Sequence, residues 1–128
     1  MPLHRYTDFR NLIAAQYSTT TQEMVDKAIL FAWERLRNVT RYDNSPMLDH
    51  DIGVARIVVE EIGLGRNSTV AAIIHDVVRI AVQEHPEEVE ALTAEISREF
   101  GNEVLGISMA LSKISNIKLK RSKEQASD

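Results

Sequence analysis

The chain has 128 residues, 44% of them hydrophobic and 27% charged, which supplies apolar material for one core and too little length for two domains. A formal net charge of -4 gives no basic footprint for nucleic acid over the whole chain, and the absence of cysteine excludes disulfides and thiolate metal sites. The opening "MPLHRYTDFR" lacks a signal-peptide pattern, and no apolar stretch reaches the ~20 residues of a membrane span, so a cytoplasmic domain is expected.

In chain order, Tyr6, Phe9, Leu12 and Ile13 have helical spacing and predict a short helix over 6–16. The next segment, "TTTQEMVDKAILFAWERLRN", places Thr20 three residues before Glu23, a pattern in which hydroxyl and carboxylate each satisfy a free backbone N–H, so the helix is expected to start there. Met24, Ala28, Phe31 and Leu36 form its apolar face. "VTRYDNSP" gathers Asp43, Asn44, Ser45 and Pro46, and reads as a loop. "MLDHDIGVARIVVEEIG" then carries Ile52, Ala55, Val59 and Ile62 on one stripe, with Gly63 suited to a left-handed stop.

Asn67 or Ser68 is a candidate cap for a helix over 69–83, whose Val70, Ala71, Ile73, Ile74, Val77, Val78 and Ala81 leave almost no polar face. This is the expected central helix. Pro86 suits a first helical position, Glu87 and Glu88 suit the positive end of a helix dipole, and Gly101 suits a stop. A further helix is expected from about Glu103 to Lys113, with "SKEQASD" opening another; the "KLKRSK" cluster at 118–123 reads as a solvated helix end. The expected fold class is all-α, a compact bundle of about six or seven helices.

His4 and His85 sit at a terminus and beside a proline, where exposed imidazoles are ordinary. His75 and Asp76 differ, because a carboxylate in the most apolar helix costs several kcal/mol unless paired, hydrogen-bonded or metal-bound. Periodicity alone leaves open a structural His–Asp pair or a metal or catalytic role. Neighbouring helix positions diverge by about 100°, so a site using both needs a ligand from another segment, and His50 is the candidate. Two imidazoles and a carboxylate suit manganese, iron or zinc, with open positions for water and a substrate phosphate.

The stretch "RYDNSPMLDHDIGVARIVVEEIGLGRNSTVAAIIHDVV" resembles the N-terminal HD hydrolase domain of RelA/SpoT-type proteins, which make and degrade guanosine tetra- and pentaphosphate, (p)ppGpp. The family pattern has an arginine-containing loop, a first histidine, a helix ending "LLHDVVEDT" and a later "DGVTKL". The matching pieces are Arg41, His50, "AIIHDVV" and "SMALSKI", and the likeness covers roughly 20–128. It implies residues 1–19 as an N-terminal helix and connector, 20–116 as the HD-type domain, and 117–128 as the start of a linker helix toward a synthetase domain that lies outside this sequence.

The resemblance further implies His50, His75 and Asp76 as three metal ligands, Mn2+ being the ion expected if the site holds one, and Arg41 as a side chain that stacks on guanine. The family's fourth ligand, an aspartate, is replaced by Met109, and its catalytic Glu–Asp pair by Arg79 and Ile80. The proline after the first histidine is Asp51. A thioether is a poor donor for a hard or borderline ion, so full metal occupancy is not expected, and neither Arg79 nor Ile80 can accept a proton from water.

Three functional readings follow. In the first, this is a degenerate hydrolase domain that regulates or scaffolds a GTP pyrophosphokinase domain in the parent chain, with no catalytic residues of its own. The second is an active metal-dependent (p)ppGpp 3′-pyrophosphohydrolase with a ligand drawn from Asp49, Asp51 or Glu84. The third is a module that binds guanine nucleotide (ppGpp, GDP or GTP) without cleaving it. None of the three involves a membrane or direct nucleic-acid binding.

Overall fold

The computed structural model describes residues 3–62 and 65–127, with side chains as far as Ser115. The elements are α1 (Tyr6–Gln16), α2 (Thr19–Leu36), α3 (Met47–Ile57) continued by a π-helical turn (Val58–Ile62), α4 (Arg66–Glu84), a 3₁₀ turn (Pro86–Glu88), α5 (Val89–Phe100) and α6 (Asn102–Ser127). Among the described residues the only extended pairing is an isolated bridge between Thr40 and Pro46. The all-α bundle expected from the periodicity is therefore what forms.

Several local expectations change. The cap of α2 is Ser18, whose hydroxyl accepts from the Thr21 N–H at 3.3 Å, so the helix starts one residue before Thr20. Helix α4 starts at Arg66 behind Gly65, and Asn67 lies inside it: its Oδ1 accepts from Arg66 Nε at 3.3 Å and its Nδ2 donates to Glu103 Oε2 at 2.8 Å. The two helices expected over 103–127 are one continuous α6. Gly63 and the stop assigned to it lie outside the described residues, as do the side chains of the 118–123 cluster. Gly101 does close α5, at φ 94°, a conformation that glycine adopts without the steric cost a Cβ would bring.

Helix α4 is the axis of the bundle. Val70, Ala71, Ala72, Ile73, Ile74 and Val78 are fully buried, so apolar residues surround it on every side. Helices α2, α3, α5 and α6 each pack on it. Truncating Ile74, a fully buried side chain, to alanine is expected to cost about 2–5 kcal/mol, through lost transfer energy and the cavity left behind. Urea unfolding checks this: the midpoint falls while the slope stays constant.

Two polar ties link elements across the bundle. Arg35 of α2 lies 3.8 Å from the Phe31 ring centre and donates to both carboxylate oxygens of Glu95 at 2.8 Å, which joins α2 to α5. At the other end, the Arg5 backbone N–H donates to Asp49 Oδ1 at 2.8 Å, and the Arg5 guanidinium lies across Gly53. A Cβ at Gly53 would meet the end of the Arg5 side chain, which would have to move aside.

Candidate metal centre

Helices α3, α4 and α6 and the loop before α3 enclose a cleft of about 750 Å³. Its chemistry comes from Arg41, His50, His75, Asp76, Arg79 and Glu84, while Met47, Val54, Ile80, Leu111 and Ile114 supply apolar walls. The sequence placed Arg41, His50, His75 and Asp76 in one site, and the fold brings all four to this cleft. Arg79 and Ile80 line it as well. Met109 does not: it packs, partly buried, against the hydrophobic core.

His75 and Asp76 follow one another on α4, and both are buried. The His75 Nδ1 stands 2.6 Å from the Ala72 carbonyl oxygen. That contact orients the ring through Nδ1 and leaves Nε2 as the nitrogen available to a metal ion, the arrangement of a metal-binding histidine held by a backbone oxygen. His75 Nε2 lies 3.7 Å from Asp76 Oδ2. His50 stands one turn into α3, half-buried; burial and then the Arg41 charge hold its imidazole below the ordinary range, so at neutral pH it also offers a lone pair.

Arg79 answers the question of what balances Asp76. Only 7% exposed, it donates from Nε to Asp76 Oδ1 at 2.5 Å and from Nη1 to Gln83 Oε1 at 3.3 Å. Burial alone would raise the Asp76 carboxyl, but the neighbouring Asp51 carboxyl, His75 and Arg79 outweigh it and hold the group at about 2. A guanidinium thus lies in the cleft beside the Asp76 carboxylate.

Asp51 is the residue whose position the sequence reading underrated. It is fully buried, and its carboxyl meets no N–H or O–H donor; its polar neighbour is the Asp76 carboxyl, with which it can share a proton. Burial above all, then the adjacent Asp76, pushes it well above the usual carboxylate range. A ring nitrogen of His50 and one oxygen each of Asp51 and Asp76 lie within 4.8 Å of one another. The signal was present: Leu48, Ile52 and Ala55 form the buried stripe of α3, and position 51 falls inside that stripe. The other two alternative donors are placed differently. Asp49 is engaged by Arg5, and Glu84 reaches the rim of the cleft without joining that triad. A second group, His85 with Glu87 and Glu88, is exposed on the 3₁₀ turn.

The loop carrying Arg41 is closed by its own hydrogen bonds. Arg41 N donates to Ser45 O at 2.8 Å, Asn44 N to Arg41 O at 2.9 Å, and Asp43 Oδ1 accepts from the Ser45 backbone at 3.0 Å. Asn44 takes φ 67°, where asparagine is among the few side chains tolerated. The Arg41 guanidinium lies 5.4 Å from the ring centre of Tyr42, which is 91% exposed at the mouth of the cleft.

The helix order, the His–Asp doublet on the central helix and the histidine on the helix before it agree with the comparison against known families, in which the HD domain matches residues 28–128. The chain belongs to the HD domain family. No curated protein and no solved structure matches it. The residues of this HD domain fit a divalent ion: two imidazoles, a carboxylate pinned by an arginine, and a buried carboxyl that meets no N–H or O–H donor. Among the described residues no helix is long and apolar enough to cross a membrane.

Proposed function

We propose that this HD domain is a hydrolytically silent relative of the (p)ppGpp hydrolase domains of RelA/SpoT-type proteins, and that it regulates or scaffolds a GTP pyrophosphokinase domain in the parent chain. One observation carries the loss of hydrolysis: the buried Arg79 guanidinium, 2.5 Å from Asp76 Oδ1, stands where an acceptor for the proton of an attacking water is required. Ile80 beside it offers no acceptor either. A bound divalent ion would polarise a phosphate and acidify water. Of the charged groups lining the cleft, Asp76 is engaged by Arg79, and Glu84 is exposed at the rim. General acid–base help is worth about 10²–10⁴-fold, so without a positioned acceptor the rate falls below detection.

The same cleft favours a nucleotide ligand held without cleavage. Arg41 and Tyr42 present a cation and an exposed ring at its mouth, a pair suited to a planar base, and Arg79 lies further in with a charge that suits phosphate. The test is release of pyrophosphate from guanosine tetraphosphate with manganese present. No turnover is expected from the unmodified chain, while calorimetric titration shows saturable binding of guanine nucleotide that Arg41→Ala weakens. Robust turnover would overturn the silent-domain reading.

A further inference from the structure

We infer that Asp51 supplies the carboxylate missing at position 109, so that His50, Asp51, Asp76 and His75 together form a divalent-cation site whose fourth donor comes from α3 instead of α6. The first support is the cost of Asp51 as it stands. A fully buried carboxyl that meets no N–H or O–H donor and faces a second carboxyl, Asp76, is a costly arrangement in a folded protein, and a cation is the partner that would serve both groups at once. The second is placement. Donors on one ion stand no further apart than about twice a bond of roughly 2.0–2.3 Å, and the His50, Asp51 and Asp76 donor atoms, all within 4.8 Å of one another, lie close enough for small side-chain shifts to bring them to that span.

The third support is charge. With Arg79 paired to Asp76, a site built on Asp76 alone has no net negative charge to offer a divalent ion. Asp51 restores one. Arg79 takes Oδ1 of Asp76, and Oδ2 faces the His75 Nε2, so the pairing leaves a donor oxygen toward the histidines. Asp49 is excluded by its bonds to the Arg5 backbone, and Met109 by its packing against the core. The donor set, imidazoles with carboxylates and no thiolate, selects manganese, iron or zinc over a soft ion.

Titration of the chelator-stripped protein with Mn2+ and, separately, Zn2+ by isothermal calorimetry tests the site. One equivalent is expected to bind the unmodified chain. Asp51→Asn, which keeps the shape and one acceptor oxygen but removes the charge, is expected to lose more than about 100-fold in affinity, beyond the 10–100-fold typical of groups that merely orient a ligand. Met109→Leu leaves affinity unchanged. Circular dichroism in chelator confirms that each variant is folded, and Asp51→Ser replaces Asp51→Asn if that variant is not. No binding to the unmodified chain at millimolar metal, or equal affinity in the Asp51 variants, overturns the inference and leaves Asp51 a buried acid sharing a proton with Asp76. Metal affinity and pyrophosphate release are separate readouts, so loss of either reading leaves the other standing.

Discussion

Arg79→Glu combined with Ile80→Asp is expected to confer measurable, manganese-dependent release of pyrophosphate from guanosine tetraphosphate on a chain from which none is expected. Both positions already line the cleft, so the new carboxylates enter it without rebuilding the backbone. A positioned acid–base pair contributes about 10²–10⁴-fold, and this sets the scale of the gain. The exchange has a cost: it removes the cation beside Asp76 and adds like charges to a buried cluster, so the metal-free double variant should be destabilised and the metal-loaded one rescued. Adding Met109→Asp is expected to change little, because residue 109 packs against the core and lies off the cleft. If only the triple variant gains activity, the donor at position 109 matters and Asp51 does not replace it. If neither variant gains any, restoring the acid–base pair is not sufficient in this cleft.

Much of this architecture was legible because burial leaves a periodic trace. Helix α4 could be picked out as central from its unbroken apolar surround, and the same feature made His75 and Asp76 conspicuous. Helix ends were less legible. Ser18, Thr19, Thr20 and Thr21 are four consecutive hydroxyls, each chemically able to cap α2, and the choice of Ser18 depends on backbone angles no composition reveals. The expected helix end near Lys113 is not there: Ser112 is buried inside one continuous α6, although serine is only a middling helix former. Tertiary packing outweighs such weak preferences.

The site was legible as a set of residue types and illegible as a set of partners. Linear order puts Asp51 beside His50, where it reads as a departure from a family pattern, and nothing local indicates that its carboxyl is buried against Asp76 with no N–H or O–H donor. Likewise, Arg79 reads as a lost acid, whereas in the fold it is a gained cation that one turn of helix delivers to Asp76. What the sequence showed as two defects, the fold makes one electrostatic arrangement, with a guanidinium and a second carboxyl added on either side of the same aspartate.

The arrangement has a measurable stability. Arg79→Met keeps much of the aliphatic volume and removes the charge, which leaves Asp76 buried without its cation, and breaking such a pair costs about 3–5 kcal/mol. The loss should be read in chelator by urea unfolding. Replacing both partners, Arg79→Met with Asp76→Asn, should cost less than the sum of the two single changes, because no orphaned charge remains. The pH dependence has a definite sign. Asp76 in the folded chain is held at about 2, below its ordinary 3.8, so its contribution is present above pH 4 and disappears as pH falls through 2. The stability gap between the unmodified chain and Arg79→Met is therefore widest at neutral pH and narrows on acidification; a gap that widens toward low pH would show that Arg79 acts through packing alone. Manganese should close part of the neutral-pH gap, since a cation held by Asp51 and Asp76 takes over the charge that the arginine supplied.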